Sequence, residues 1–377
     1  MTAKNTLYRR SIALIESHQD SSGAYVASPN FQQYQYCWLR DSSFIAHAMD
    51  QVGKHESSRA YFRWVDHVLK RYAEKVTRLE KKLSRGKQPE DQEFLHTRYL
   101  LNGEEGPEDT GWGNFQIDGY GTWLWALAEH VRLTGDAGFL KEMAESIGLT
   151  CRYLKAAYRL PCFDLWEENP DYLHTYSLGA VYGGLQAITQ LSVEYPLECE
   201  MIELVKIQQE IKDLILRHGV LEGRLVKHLE MGKESVPDNE VDASLIAAST
   251  PYGLLPPDDE IFSRTIAEIE QELVRKGGGV YRFCKDTYYG GGEWVLLAGW
   301  LGWHYARTGR QNRALEMLLW MEDQADSQGQ LPEQVSGHLL FPEKYQTWVE
   351  DWGVIALPLL WSHAMYLILH SALSKNS

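Results

Sequence analysis

The chain has 377 residues and a formal net charge of −15, so it is long enough for one large domain or two ordinary ones. The acidic excess disfavours nucleic acid or an anionic membrane as the main partner, because both are negatively charged. Aromatic residues make up 12% of the sequence, with 13 Trp and 21 Tyr. This content is typical of proteins that stack flat apolar surfaces such as the faces of sugar rings. We therefore expect a neutral small-molecule partner.

The cysteines and the N-terminus bear on the compartment. Five cysteines occur in the chain, an odd number, without the paired CxxC spacing of a zinc site. They predict reduced thiols in a cytoplasmic protein, with no metal and no cofactor. The first 20 residues lack an uninterrupted apolar stretch, and no later stretch approaches the roughly 20 apolar residues of a membrane span. The five cysteines are Cys37, Cys151, Cys162, Cys199 and Cys284.

Apolar residues recur at helical spacing along most of the chain, whereas the alternation typical of strands is scarce. Roughly a dozen helices, joined by alternately short and elaborate connections, predict helix pairs around a closed ring. No linker divides the chain, so we expect a single domain over residues 1–377. The predicted helices include, in chain order, Asn5–His18, Tyr61–Tyr72, Tyr120–Val131, Ser177–Leu191, Glu198–His218, Ile261–Arg275, Glu293–Arg307, Asn312–Asp326 and Val354–Leu373.

A charged run covers residues 70–94, directly after the apolar stripe of the second predicted helix. The stripe thins there, while Lys and Glu residues recur four positions apart, a spacing that supports an exposed helix. We interpret the run as a solvated continuation of the helix that projects from the domain and implies no partner.

Five stretches lack helical periodicity and are rich in Trp, Tyr, Arg and carboxylates. This composition is more typical of functional sites than of connecting loops. They contain two glutamates suited to acetal cleavage, which needs a carboxylic acid for the leaving oxygen and a carboxylate for the attack. Glu167 or Glu168, beside the desolvating Trp166, is the candidate acid, and Glu333 is the candidate base. Alternatively, both segments are acidic helix N-termini. The stretches cover residues 34–43, 111–123, 163–177, 280–294 and 331–337.

Five ordered motifs carry a family resemblance. The segments "YQYCWLRD", "DLWEE" followed by "HTYS", "RFCKDTYYGGGEW", "LPEQVSG" and "PLLWSHA" occur in the order seen in glycoside hydrolase family 15, the glucoamylase-type enzymes. The resemblance spans nearly the whole chain. It implies an (α/α)6 barrel of six inner and six outer helices with a pocket at one end. It also implies an inverting, exo-acting α-glucosidase that releases single glucose units from non-reducing ends.

The same motifs imply roles for individual residues. By this resemblance Glu167 is the general acid, Glu333 is the general base, and Glu168 is a neighbouring substrate-binding acid. Arg40 and Asp41 resemble the pair that holds the hydroxyl groups of the terminal glucose. These assignments need no metal ion.

Other residues complete the expected substrate-binding set. Tyr34 resembles the tyrosine that orients the base and its water, and Trp38 and Trp166 belong to the same set. Arg282 and Tyr288 resemble residues that line the pocket further out. Alternatively, Arg282 forms a structural ion pair and Tyr288 is a core residue.

Three further positions are less specific. Trp361 matches an aromatic residue that packs near the site, although it also fits the core. Gln116 and Asp118 resemble a pair that helps to build the pocket floor, but Asp118 equally fits a cap of the following helix. His174 contacts either substrate or backbone.

The sequence leaves the linkage open among α-1,4, α-1,6 and trehalose-type α,α-1,1 bonds. Because "YQYCWLRD" begins only 34 residues into the chain, we expect no accessory domain and favour short oligosaccharides. Two other classes are a catalytically silent carbohydrate-binding or regulatory module and a helical-repeat scaffold. The presence of both Glu167 and Glu333 with Arg40 and Asp41 argues against the silent module, and the Trp-rich loops argue against the scaffold.

Overall fold

Helices dominate the computed structural model, which describes residues 3–106, 113–197, 200–232, 240–275 and 278–375. The α-helices are α1 (Ala3–Ser17), α2 (Leu39–Gln51), α3 (His55–Arg71), α4 (Ala73–Leu83), α5 (Asp118–Thr134), α6 (Ala137–Glu142), α7 (Ala144–Ala157), α8 (Thr175–Glu194), α9 (Met201–His218), α10 (Glu260–Glu268), α11 (Val295–Arg307), α12 (Gln311–Asp323), α13 (Pro342–Trp352) and α14 (Leu360–Lys375). Short strands form antiparallel pairs: β1 (Cys37–Trp38) with β2 (Arg98–Tyr99), β3 (Val220–Leu221) with β4 (Arg224–Leu225), and β5 (Glu293–Trp294) with β6 (Gln334–Val335).

The helices form a closed double ring. In the inner ring α2 packs on α5, α5 on α8, and α11 on α14, which returns to α2. A short 3-10 helix, Ala243–Ala248, fills the remaining inner position between α8 and α11. The outer positions are taken by α1, α3, α7, α9, α10 and α12, each packed against inner helices. This arrangement is the predicted (α/α)6 barrel, so the fold prediction is confirmed.

The inner helices are buried on nearly all sides, as expected for helices that are apolar all round. From Val295 to Ala306, for example, every residue of α11 is buried. Where α5 crosses α8, a side-chain carbon on Gly184 would lie 2.3 Å from the carbonyl oxygen of Gly121. Glycine at both positions therefore lets the two backbones approach, and larger residues would force them apart.

The charged run at 70–94 differs from its prediction. The chain turns at Tyr72, and α4 begins there as a separate helix that packs on α7. Val76 and Leu79 are buried beneath the charged surface. Their spacing of three puts both side chains on one face of α4. Because this face is buried, α4 belongs to the outer layer of the domain and does not project from it.

Other boundaries also differ. The stretch at 34–43 is partly helical, because Arg40 and Asp41 lie in the first turn of α2. The last helix begins at Leu360, since the chain before it carries a separate helix, α13. Free thiols are found at Cys37, Cys151, Cys162 and Cys284, whereas Cys199 and the start of the predicted Glu198–His218 helix lie outside the described residues. Among the described helices, none combines the length and hydropathy needed to cross a membrane.

Candidate active site

A pocket opens at the end of the ring where α2, α5, α11 and α14 begin. Every predicted site residue lines it except Gln116 and Asp118. Two short strand pairs bring distant motifs to its rim: Trp38 pairs with Arg98 across β1 and β2, and Trp294 pairs with Gln334 across β5 and β6. The second pair places Glu333, which directly precedes β6, beside the pocket.

Arg40 occupies the inner wall of the pocket and is almost fully buried. Its guanidinium contacts Asp41 at 3.4 Å and Glu167 at 3.6 Å. The guanidinium also lies over the ring of Trp361, 5.8 Å from the ring centroid. A planar guanidinium suits this role because it can pair with carboxylates at its edge while its face stacks on an indole.

Gln116 and Asp118 lie one layer behind Arg40. The Nη1 atom of Arg40 donates hydrogen bonds to Gln116 Oε1 at 2.9 Å and to Asp118 Oδ2 at 3.0 Å. Asp118 is the first residue of α5, and its side chain makes no helix-capping hydrogen bond. Asp118 therefore does not cap α5, and both residues support Arg40 from behind without lining the pocket, so their part in building its floor stays a prediction.

Glu333 is fixed by its backbone and by Tyr34. Its amide donates to the carbonyl of Ala356, and its own carbonyl accepts from the amide of Val295, both at 3.0 Å. The Tyr34 hydroxyl donates to Glu333 Oε1 at 3.0 Å. Because Tyr34 donates its only hydroxyl proton to Glu333, the Tyr288 hydroxyl, 3.0 Å from that of Tyr34, is the donor between the two tyrosines. The glutamate is thus held rigidly by a chain of two tyrosines.

Glu167 sits on strained backbone. Its φ of +65° is in the left-handed region that side chains other than glycine rarely adopt. The indole N–H of Trp38 donates to its Oε1 atom at 2.6 Å. The strain aims the carboxylate into the pocket between Trp38 and Arg40, and it persists only if neighbouring groups hold the loop.

A buried charge cluster holds this loop, and sequence analysis missed it. Asp164 Oδ1 accepts from the backbone amides of Trp166 and Glu168, at 2.8 and 2.9 Å. Lys227 pairs with Asp164 at 2.9 Å and with Asp242 at 3.4 Å. Asp242 in turn accepts from the indole N–H of Trp166 at 2.9 Å. One ammonium therefore links the acidic loop, at Asp164, to the next inner element of the ring, at Asp242.

The opposite wall is built around Arg282. Its guanidinium forms an ion pair with Asp286, as the structural alternative predicted. Its Nη2 atom also lies 3.5 Å from Glu168. Its Cζ atom lies 5.1 Å from the ring centroid of Trp166 and 5.2 Å from that of Tyr288. Arg282 therefore combines a structural pair with a place in the pocket wall.

Beyond this wall the pocket continues into an outer cleft lined by Phe31, Phe163, Tyr288, Trp348 and Trp352. Trp348 and Trp352 belong to α13, and Trp348 packs against Tyr288 with ring centroids 5.0 Å apart. An aromatic cleft outside a small polar pocket suits a ligand with a second ring. His174, by contrast, bonds the carbonyls of Cys162 and Asn169 and lies away from the lining.

Burial dominates the electrostatics of the pocket. It raises the pKa of Glu167, against the opposing charges of Arg40 and Arg98. It also raises the pKa of Glu333 to about 8, against the hydrogen bond from Tyr34. Burial likewise raises the pKa of Asp41 to about 7.

Several buried acceptors in the pocket have no hydrogen-bond partner among the described residues. They include one carboxylate oxygen each of Asp41, Glu167 and Glu333. Unsatisfied buried acceptors are costly, and a ligand rich in hydroxyl donors would satisfy them. In the described part of the chain, no group of His, Cys, Asp and Glu residues is suited to hold a metal ion.

A barrel of helix pairs with carboxylates and aromatic rings at one end is the architecture of a glycoside hydrolase. The chain matches the family described as Glycosyl hydrolases family 15 over residues 2–370 and belongs to that family. It is therefore a glycoside hydrolase of the glucoamylase type.

Similar proteins give finer detail. Isomaltose glucohydrolase from Kribbella flavida is 41% identical over 364 residues, which cover 96% of this chain and 91% of that protein. Trehalase 1 from Sulfolobus acidocaldarius is 26% identical and is covered over 48% of its length. A solved wild-type glycosidase superposes with a TM-score of 0.91 at 41% identity, covering 98% of this chain and 96% of that one. A variant glycosidase in complex with glucose superposes equally well, at 40% identity and with the same coverage.

The loop-holding cluster gives a stability prediction. Although burial opposes ionisation of Asp164, the charge of Lys227 lowers the pKa of that carboxyl. A Lys227→Met variant leaves Asp164 and Asp242 buried without their cation, so we expect a loss of about 3–5 kcal/mol in the free energy of unfolding at pH 7. A group with a lowered folded-state pKa stabilises above its unfolded pKa, so the deficit should shrink as the pH falls below about 4.

Denaturant unfolding of both proteins from pH 3 to 7 measures this difference. The control is Lys285→Met, which removes an exposed pair with Glu240 and should cost less than about 1 kcal/mol. Equal losses in the two variants, or a deficit that does not change with pH, would contradict the role of Lys227.

Proposed function

We propose that the chain is a single-domain, inverting exo-α-glucosidase that removes glucose from the non-reducing end of short α-1,6-linked oligosaccharides of the isomaltose type. The observation that carries the proposal is the pair of glutamates in one pocket with Arg40 and Asp41: Glu333 is buried, and the Glu167 side chain is 11% exposed. The 41% identical isomaltose glucohydrolase supports the linkage. A closed ring that runs from α1 to α14 supports the single domain.

The terminal glucose would bind at the inner end of the pocket. Phe44 stacks on Trp361, with ring centroids 5.3 Å apart, and packs on Trp300 at 5.0 Å. This aromatic layer closes the ring axis beneath the pocket and leaves no room for a continuing chain, which supports exo action. Arg40 and Asp41 would bind the hydroxyl groups of that glucose, since a charge-assisted pair offers donors and acceptors side by side.

Hydrolysis would use the two glutamates together, in a single displacement step. Glu167, raised in pKa by burial, protonates the glycosidic oxygen as the bond breaks. Glu333 removes a proton from a water on the opposite face of the sugar, and that water attacks the anomeric carbon. Tyr34 stabilises the ionised form of Glu333 and orients it toward the water. The product is β-glucose, because attack from the opposite face inverts the anomeric centre.

Beyond the cleaved bond, the second sugar would lie in the outer cleft near Trp348 and Trp352. Glu168 borders both spaces, and Arg282 lies 3.5 Å from it in the inner pocket, so the carboxyl group of Glu168 is positioned for the hydroxyls of that sugar. An α-1,6 bond adds a rotatable methylene between the rings, which lets the second ring turn toward these aromatic faces.

Proton NMR of the purified protein with isomaltose, maltose, nigerose and trehalose, each alone, tests the proposal. We expect β-glucose to appear first and fastest from isomaltose, before mutarotation. Early α-glucose would exclude inversion, and faster release from trehalose would favour the trehalase activity of the more distant relatives. No release from any disaccharide would instead favour a binding module.

The roles of the two glutamates can be separated with α-glucosyl fluoride, whose leaving group needs no protonation. We expect Glu167→Gln to lose on the order of 10³-fold in kcat/KM on isomaltose but to retain most of its activity on the fluoride. Glu333→Gln should lose both activities, because the base is needed for either substrate. The reverse pattern, measured by fluoride release and glucose assay, would exchange the two assignments.

Tyr34 offers a test through pH. Its hydrogen bond stabilises the Glu333 carboxylate and opposes the raised pKa. In Tyr34→Phe that opposition is lost, the pKa of Glu333 rises further, and the ascending limb of the kcat/KM profile should move to higher pH. Tyr288→Phe is the matched control, since it leaves the Tyr34–Glu333 bond in place. An unshifted limb in Tyr34→Phe would exclude Glu333 as the group that titrates there.

A further inference from the structure

A second cavity, of about 460 Å³, lies at the opposite end of the ring. Its lining comes from the C-terminal halves of the same inner helices whose first turns border the catalytic pocket. In α2, for example, Arg40 faces the catalytic pocket and His47 the second cavity, seven residues and about 10 Å further along the helix. The layer of Phe44, Trp300 and Trp361 lies between the two cavities. The second cavity is therefore a separate space.

Aromatic side chains form the walls of the second cavity. The ring of His47 packs beside two indoles, with centroids 4.7 Å from Trp125 and 5.7 Å from Trp303, and the two indoles lie 6.3 Å from each other. Its Nδ1 atom is buried and has no hydrogen-bond partner among the described residues. Burial lowers the pKa of His47, so the ring is neutral and its unpaired nitrogen can bond a hydroxyl group.

Polar and charged groups border the aromatic walls. Arg307 is exposed and lies over the Trp303 ring, 5.8 Å from its centroid. The ammonium of Lys375 donates to Gln51 Oε1 at 2.6 Å. Glu129 adds an acidic group to the same lining. These side chains present donors and acceptors together, with no large excess of either charge.

The helix ends argue against an anionic ligand. α2, α5, α11 and α14 point their C-terminal ends toward this cavity, and those ends carry partial negative charge. Their field opposes that of the two cations, Arg307 and Lys375. A ligand with flat apolar faces and uncharged hydroxyl groups matches all these features, since indoles stack on its faces and polar side chains bond its edge.

We propose that this cavity is a second binding site for a neutral sugar, a glucose unit or a short glucoside, separate from the catalytic pocket. The sugar stacks on Trp303 and Trp125, and Arg307, Gln51 and Glu129 contact its hydroxyl groups. The site binds without cleaving, because none of its lining residues repeats the paired glutamates of the catalytic pocket.

Fluorine NMR of protein labelled with 5-fluorotryptophan tests the site directly. Glucose is the probe, since it is not hydrolysed and its binding is read independently of catalytic activity. A Trp303→Phe variant identifies the resonance of Trp303, and Trp166→Phe and Trp361→Phe identify resonances of the catalytic pocket. We expect glucose to shift both sets, and we expect the concentration dependence of the Trp303 shift to differ from that of the other two.

Arg307→Ala is the decisive variant, because an exposed residue can be removed without disturbing the core. It should raise the glucose concentration needed for half of the Trp303 shift by roughly fivefold, the equivalent of one lost contact of about 1 kcal/mol. The catalytic-pocket resonances should be unaffected. Arg313→Ala, a surface arginine on α12, is the matched control and should change neither set.

Three results would overturn the proposal. The first is a Trp303 resonance that does not move while the catalytic-pocket resonances saturate. The second is a Trp303 shift that follows the catalytic-pocket resonances in concentration and is unaffected by Arg307→Ala, which would mean a relayed change. The third is a Trp303 shift produced at lower concentration by glucose 6-phosphate than by glucose, which would make the cavity an anion site.

Discussion

The catalytic end of the barrel depends on one buried guanidinium. Arg40 is the cation against which Asp41, Asp118 and Glu167 are arranged, so a single positive charge faces three carboxyl groups. A buried charge is tolerated only when it is paired and hydrogen-bonded. Burial raises the pKa values of Asp41 and Glu167 more than Arg40 lowers them, so one guanidinium does not offset the desolvation of the carboxyl groups around it. The pocket is thus short of donors before its ligand arrives.

This shortage is a basis for recognition. Within the described part of the chain, one oxygen each of Asp41, Glu167 and Glu333 is buried without a hydrogen bond, although that of Asp41 lies 3.4 Å from Arg40, and each would accept a hydrogen bond from a hydroxyl group. A sugar supplies many hydroxyl donors on one rigid frame, so binding satisfies groups that are otherwise desolvated at a cost. The first turns of α2 and α5 add their positive ends at Asp41 and Asp118, which helps these carboxylates to remain close together.

The residues proposed for recognition were accessible from sequence because they lie in short, distinctive motifs. Arg40 and Glu167 stand among aromatic residues, and Glu333 lies in the motif "LPEQVSG". Lys227 and Asp242 could not be found in this way, since each is a lone charge in an ordinary segment and acquires its role only when folding brings it to Asp164. An isolated lysine in a segment with several apolar residues, as in "RLVKHLE", indicates burial, but it does not identify the residue with which the lysine pairs.

The fold could be predicted from helical periodicity, and the errors of that prediction have physical reasons. The two-residue strands are too short to produce an alternating pattern, so the pairing of Trp38 with Arg98 had no signal. In the charged run, Val76 and Leu79 did carry the helical period, but the surrounding Lys and Glu residues masked it. Charge density alone therefore does not distinguish a projecting helix from an outer helix with a narrow buried face.

The two glutamates are held by different means, and the difference fits the two roles proposed for them. Glu333 is fixed at its amide and carbonyl and by Tyr34, so its carboxylate has one position, as the proposed base would require. Glu167 stands on left-handed backbone, and its loop is held by Asp164 with Lys227 and by the Trp166 indole on Asp242. Its carboxylate is held in turn by Trp38 and Arg40. The buried lysine therefore supports the position of the proposed acid, although it lies outside the pocket lining.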